Sequence, residues 1–401
     1  MTRHAARTPA DFRTASGRLQ FAVVRGACLT ALLLGTRTAV AAPPPAPAAS
    51  GGPTIRMCSA VREGATCVDV EMSPRRPFAL GRRAASDGAD LPPGPAAWLA
   101  RGQFFNDGGR RIFFRREGRG PTLLVLHGFP TSSYDYAAIW PALTARFDVI
   151  AVDLLGSGFS DKPFPYDYSV FEQADILVRL TAALGVARTH VLAHDYGGTV
   201  AQEVLARSNA GTSPLCVQSA TFLNGGLFVD AQNLTPVHYL LDSPLGVPVG
   251  ALTCEPVFKC ITNSFAGDAG RNGVVDLEAW WAILNYNRGK RVMHGIIQYL
   301  DERKRYEERW TAALACAPCP VAYIYGAEDG VSGDSIARRF AEVVPNAPVV
   351  RLCGLDHYPH AEAAGRTAGV FHALHDRFGT PSAGAPPSAD RGAVPPPPAP
   401  R

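Results

Sequence analysis

Three side chains could do chemistry together: Asp195, Asp329 and His357, each placed just past the end of an apolar run. Thr189 to Leu205 reads as strand, sharp turn and helix: an apolar run, then a cluster of small residues, then Val200, Ala201, Val204 and Leu205 at helical spacing. A reactive side chain on a cramped turn needs small flanks, and Ala193 and Gly197 supply them around Asp195. A nucleophile needs a base, and the base needs an orienting acid. His357 in Gly354-Leu355-Asp356-His357 is the candidate base, and Asp329, after the run Val321 to Tyr325, is the candidate acid. Glu328 and Asp356 are lesser candidates for the acid. Two backbone amides could meet a developing oxyanion: that of Tyr196, next after the nucleophile, and that of Phe129 in His127-Gly128-Phe129-Pro130. His194 and His360, the neighbouring histidines, read as structural.

Elements must position these groups, and an alternation of strands and helices provides them. Strands are expected at 122–126, 149–152, 189–193, 217–223, 321–325 and 348–352, with helices at 137–146 and 170–184 between them. Such alternation implies a mostly parallel sheet covered by helices on both faces, with its chemistry beyond the carboxyl ends of the strands. Each candidate site residue follows such an end. Between 226 and 314 the alternation stops, and helical stretches rich in aromatics take over, including Tyr239, Tyr286 and Tyr299. A helical insertion there reads as a lid. The core then comprises 93–225 and 315–378, preceded by a Pro/Ala-rich linker and loose segment at 42–92, with a small hairpin expected at 56–71. The last stretch, 379–401, is too poor in large apolar groups to fold.

The 401 residues are 47% apolar and 18% charged, enough for a sizeable core, and a formal charge of +4 without basic–aromatic runs argues against nucleic acid as a partner. Six basic side chains, Arg3 to Arg25, precede the apolar run Ala27 to Gly35 and the small residues Ala39-Val40-Ala41. Residues 1–41 therefore read as a cleaved export signal, since that apolar run is far short of the roughly 20 residues a membrane span needs. The expected location is exported, periplasmic or secreted, with a cytoplasmic basic extension as the alternative. Close cysteine spacings (Cys58/Cys67, Cys254/Cys260, Cys316/Cys319) suit local disulfides, and Cys216 and Cys353, in strand-like runs, read as small buried groups. The Cys316/Cys319 pair supplies only two of four zinc ligands, so no metal or other cofactor is expected.

From about Pro93 to Arg377 the chain resembles the α/β-hydrolase superfamily in its epoxide hydrolase and haloalkane dehalogenase branch, and is most similar there to the mesoderm-specific transcript family. The phrases that carry the resemblance are Leu126 to Asp135 (LHGFPTSSYD), Gly156 to Pro163 (GSGFSDKP), Ser169 to Ala174 (SVFEQA), His194 to Gly197 (HDYG) and Gln298 to Arg303 (QYLDER). The chain order nucleophile, acid, histidine agrees with it. The resemblance implies hydrolysis through a covalent alkyl-enzyme ester on Asp195, with no cofactor and a small or medium apolar substrate. It also implies lid tyrosines that protonate an opening epoxide, for which Tyr299 comes first and Tyr239 and Tyr286 second. Dehalogenases of the branch grip halide with a Trp after the nucleophile and an Asn or Trp after the His-Gly pair. Tyr196 and Phe129 stand there instead, which favours carbon–oxygen over carbon–halogen cleavage. Asn224, neutral where some dehalogenases keep their acid, supports Asp329. The competing readings are a haloalkane dehalogenase-like hydrolase and, from another class, a ligand-binding protein that has lost turnover.

Overall fold

A computed structural model describes residues 54–58, 67–71 and 91–379. The expected signal segment 1–41 lies outside the described residues, as do most of the segment 42–92 and all of the tail beyond Gly379. Strands β1 (Thr54–Cys58) and β2 (Cys67–Glu71) pair antiparallel with Cys58 opposite Cys67, forming the expected hairpin.

Eight further strands make one sheet: β3 (Gln103–Asp107), β4 (Arg110–Glu117), β5 (Thr122–Leu126), β6 (Asp148–Val152), β7 (Arg188–Ala193), β8 (Cys216–Phe222), β9 (Val321–Gly326) and β10 (Val349–Leu352). Their order is β10-β9-β8-β7-β5-β6-β4-β3. From β6 to β10 every pairing is parallel, while β4 runs against β6 and β3 against β4. Where both faces are covered the strands are apolar rather than alternating, as in β5 (TLLVL) and β9 (VAYIYG), whereas β3 (QFFND) and β4 (RRIFFRRE) at the antiparallel edge carry polar and charged residues. Leu124, Leu126, Ile150, Val152, Val191 and Tyr323 face one helical layer, and Leu123, Val125, Val149, Ala151, Leu192 and Ile324 face the other. The β3–β4 hairpin turns at Gly108 and Gly109, both with positive φ, within Asn106-Asp107-Gly108-Gly109, residue types that favour a tight turn. A helix, Pro93–Ala100, precedes it at the start of the core. Its Trp98 is buried, with its ring stacked edge-on to Trp140 and its Nε1 donating to Ser133.

The helix after the elbow, Tyr196–Asn209, lies under the sheet's centre and is pinned by a buried charge cluster. Glu203, fully buried, accepts from Arg309 Nε at 2.8 Å, Arg207 Nε at 2.7 Å and Trp310 Nε1 at 2.9 Å. Arg309 and Trp310 belong to the helix Glu307–Ala315, so the cluster ties the elbow helix to the end of the inserted segment. Between β8 and β9 the described residues contain helices and no strand, from Pro236–Asp242 through Glu307–Ala315. Among the described residues no helix is long and apolar enough to cross a membrane.

The cysteine expectations need correction. Cys254, Cys316 and Cys319 carry free thiols, so neither local pair forms, whereas Cys260 is disulfide-bonded. Cys254 precedes the helix Glu255–Asn263 and Cys260 lies within it, and sequence spacing alone says nothing about where the two side chains point. Cys216 and Cys353 are exposed, because each sits at a strand end rather than inside the sheet.

Candidate active site

At the end of β7 the backbone turns through Asp195 with φ 47° and ψ −115°, a region that a side-chain-bearing residue enters only when its surroundings force it. The forcing is visible. A Cβ on Gly197 would lie 2.6 Å from the carbonyl oxygens of both Leu126 and His127, and one on Gly225 would lie 2.9 Å from Asp195 Cα. Three pieces of backbone therefore converge on the elbow, and glycine is what lets them. The Asp195 amide donates to the Asn224 carbonyl at 2.8 Å, completing the clamp.

The turn after β5 is held just as firmly. The His127 ring donates from Nδ1 to the Gly128 carbonyl at 2.7 Å and accepts at Nε2 from the Leu154 amide at 3.1 Å. That pins the turn so that the Phe129 amide donates to Asp195 Oδ1 at 2.8 Å. Tyr196 opens the helix, so its amide is among the first N–H groups that have no partner within the helix.

The structure brings Asp195, His357 and Asp329 together. His357 Nε2 lies 4.0 Å from Asp195 Oδ2, and its Nδ1 donates to Asp329 Oδ2 at 2.8 Å. All three are buried. The two oxygens of Asp195 thus differ: Oδ1 is engaged by an amide, and Oδ2 faces the imidazole. Asp329 also accepts from Ser332 Oγ at 2.6 Å, Asn224 Nδ2 at 2.8 Å and the Val331 amide at 2.8 Å. His357 is fixed through its backbone as well, because its amide donates to the Phe265 carbonyl and its carbonyl accepts from His194 Nε2 at 2.9 Å.

Burial alone would push the His357 imidazole down. The charge of Asp329, its hydrogen bond and the charge of Asp195 outweigh burial and raise the pKa to about 9. The Asp329 carboxyl, opposed by burial, is held far below its ordinary value by His357 and by its donors. Burial works against ionised Asp195 too, but His357, His194 and the Phe129 amide keep its pKa lowered. At neutral pH the site is therefore a carboxylate, an imidazolium and a second carboxylate in a row.

The lesser acid candidates fall elsewhere. Glu328 is exposed. Asp356 is buried without a hydrogen bond to the His357 ring, and burial with the nearby carboxylates raises it to about 8, which leaves it protonated at neutral pH. A cavity of about 860 Å³, counting its opening to solvent, lies against the pair, with Asp195, His357, Phe129, Val331 and Tyr358 on the core side. The inserted helices close the other side with Leu240, Leu241, Phe258, Phe265 and neighbouring apolar residues.

None of the three tyrosines lines that cavity. Tyr239 is 61% exposed, and the Tyr286 ring rests on Phe159. Tyr299 is buried behind the cavity wall, its ring 4.6 Å from that of Tyr196 with the Arg303 guanidinium over it at 4.9 Å. Sequence reading missed His238, which lines the cavity, and the donor Ser332, and it singled out Asn224 only as a neutral residue, not as a donor to Asp329. Ser332 had a local signal, since a serine three residues after a turn aspartate often bonds it, but His238 is placed by the tertiary fold alone. Among the described residues one group of metal-ligand types lies close together, Asp135, His194 and His360, with atoms within 4.8 Å. Burial pushes His194 and His360 down and Asp135 up, disfavouring the charged form of each, and the two rings pack tilted at 4.6 Å beneath the elbow.

Comparison with known proteins agrees with this architecture. The family model described as alpha/beta hydrolase fold matches residues 121–246. The putative hydrolase LipZ of Mycobacterium tuberculosis is 38% identical over 267 residues, 65% of this chain and 92% of that protein. The human mesoderm-specific transcript homolog protein is 37% identical over 291 residues, 68% of this chain and 85% of that protein. Among solved structures, Cfl2 of Burkholderia cenocepacia superposes with a TM-score of 0.58 at 22% identity, covering 70% of this chain and 97% of that one. The chain belongs to the α/β-hydrolase fold family.

Proposed function

We propose that this protein is a hydrolase that works through a covalent alkyl-enzyme ester on Asp195, acting on an epoxide-like substrate with apolar substituents. The observation that carries the reading is the division of labour between the two oxygens of Asp195. Oδ2, facing the cavity's imidazole, attacks a saturated carbon, and Oδ1, already bonded to the Phe129 amide, becomes the carbonyl oxygen of the ester. Water activated by His357 then adds to that carbonyl, and the charge gathers on the oxygen the amide meets. Each such donor contributes on the order of 3 kcal/mol in enzymes where one has been removed. Alkylation cancels the charge of Asp195, one of the causes that hold His357 protonated, so the imidazole gives up its proton more readily and is neutral, free to accept one, when the second step needs a base.

A carboxylate nucleophile argues against ordinary ester cleavage, because an acyl group on it would be an anhydride. The cavity's apolar lining suits a hydrophobic substrate. The test is the variant His357→Gln, exposed to a panel of epoxides and haloalkanes and read by intact mass. A stable adduct on Asp195 from an epoxide is expected. No adduct with any member refutes the ester, and halide release with an adduct from haloalkanes alone moves the assignment to dehalogenation.

A further inference from the structure

Of the cavity-lining side chains that the inserted helices contribute, His238 is the one titratable group among the described residues. It sits in the first turn of the helix Pro236–Asp242, amid Val237, Leu240, Leu241 and Phe265. Its tautomer follows from one contact. The Thr235 backbone N–H donates to His238 Nδ1 at 3.1 Å, so Nδ1 presents a lone pair, and the hydrogen of the uncharged ring must sit on Nε2. Thr235 Oγ1, at 2.8 Å from the same nitrogen, adds to that arrangement. With the Nδ1 edge turned back onto its own helix start, the Nε2 edge is the one left for the cavity. Burial pushes the imidazole down to about 4, against the pull of Asp195 and with the push of His357 and Arg303, so the ring is neutral at physiological pH. An uncharged imidazole is a competent hydrogen-bond donor to an oxygen that is gaining charge.

We propose that His238 is the polar anchor of the substrate cavity, its Nε2–H hydrogen-bonding the oxygen that departs from the carbon under attack. This rests on the alkyl-enzyme reading and narrows it: the substrate presents an oxygen acceptor on the attacked carbon, flanked by apolar groups. It also fills the role that none of Tyr299, Tyr239 and Tyr286 can take from outside the cavity. In the first step the bond from Asp195 Oδ2 to carbon forms while the carbon–oxygen bond breaks, and its electron pair stays on the departing oxygen. That oxygen is stabilised by the Nε2–H and takes its proton from solvent, which the His357 imidazolium replenishes. His357 is left neutral. In the second step it accepts a proton from water, and the resulting hydroxide cleaves the ester, restoring the Asp195 carboxylate and the imidazolium.

Two measurements test the anchor. In the His357→Gln background, adding His238→Leu should slow adduct formation from an epoxide by about a hundredfold, as loss of one well-placed donor does. Adduct formation from an alkyl iodide, whose leaving group needs no such donor, should stay within about threefold. His238→Asn, which keeps an N–H donor, should recover part of the loss. Separately, and without any chemistry, a small aliphatic amide should bind the wild-type cavity about tenfold more tightly than the His238→Leu cavity. A hydrocarbon of the same shape should bind both equally, which also shows that the variant's cavity is intact. Undiminished epoxide alkylation in His238→Leu overturns the proposal. If His357→Gln alone forms no adduct, the ester reading falls by itself, and the ligand pair then decides: equal affinity of the amide for both cavities overturns the anchor.

Discussion

Replacing Asp329 by Asn keeps the shape of the acid and removes its charge, which makes it the sharpest probe of the assembled site. Asp329 supplies the two largest influences that raise His357, its charge and its hydrogen bond at 2.8 Å, against a burial that lowers it. Without them, Asp195 is the main influence opposing burial, and the imidazole pKa should fall from about 9 to its ordinary value near 6.5 or below. A fall of that size corresponds to roughly 3 kcal/mol of lost stabilisation of the imidazolium. The geometry adds a second loss. Ser332 Oγ and Asn224 Nδ2 donate to Oδ2, the same oxygen that His357 Nδ1 meets, while the Val331 amide donates to Oδ1, so the NH2 of an asparagine must replace an acceptor on one side or the other. Either placement leaves the imidazole without its orienting carboxylate, and in a comparable nucleophile–His–acid site the same Asp-to-Asn change lowers turnover by about 10⁴. Two assays read the outcome. NMR titration of the His357 ring gives its pKa directly, and single-turnover intact mass gives the lifetime of the Asp195 adduct, which should lengthen by about 10³ or more because ester hydrolysis depends on the oriented imidazole. If the imidazole still titrates near 9, or the adduct turns over within about threefold of wild type, Asp329 is not the orienting acid and the charge logic of the site is wrong.

Three further outcomes are expected. His357 has a folded-state pKa raised above its unfolded value, so its contribution to stability is fully present below about 6.5 and is lost as pH rises through about 9. The difference in urea unfolding free energy between wild type and His357→Gln should therefore shrink by about 3 kcal/mol across that window, and a constant difference would contradict the raised value. Glu203→Gln removes the carboxylate charge that faces buried Arg309 and half-buried Arg207 and should destabilise the fold by about 3–5 kcal/mol in the same assay, and a loss under about 1 kcal/mol would mean the cluster does not pin the elbow helix. Asn224 Nδ2 lies 2.8 Å from Asp329 Oδ2, so Asn224→Asp in the Asp329→Asn background should return the carboxylate to the neighbourhood of His357 and recover at least about tenfold of the lost ester hydrolysis. Adduct lifetimes equal to those of the single variant would show that a carboxylate at 224 cannot serve the imidazole.

The sheet was legible because strands buried on both faces are apolar throughout, and runs such as Thr122–Leu126 and Val321–Gly326 leave little else for the chain to be. Asp195 was legible because a strained turn needs small flanks, and Ala193 and Gly197 advertise them locally. What stayed hidden depends on contacts between distant segments. The aromatics of the inserted helices look alike in sequence. The fold sends Tyr299 behind Tyr196, leaves Tyr239 in solvent, and turns His238, one residue before Tyr239, into the cavity. A rotation of about 100° per residue on a helix separates those last two fates, and no local pattern in a seven-residue helix records which face meets the core.

Under the proposed mechanism, the charge pattern explains why a carboxylate nucleophile belongs with this histidine in particular. A serine would need its histidine neutral at the outset to take a proton from the hydroxyl, and an imidazole raised to about 9 would be largely charged at pH 7. Asp195 has no proton to lose. It is better served by an imidazolium, which keeps it ionised despite burial and holds in reserve the proton that a departing oxygen requires. Transfer of that proton and alkylation of Asp195 both push His357 toward the neutral base that ester hydrolysis demands. In that proposed mechanism one pair of interactions, Asp329 behind the ring and Asp195 in front of it, poises the histidine for two successive and opposite tasks, and the switch between them is the loss of Asp195's own charge.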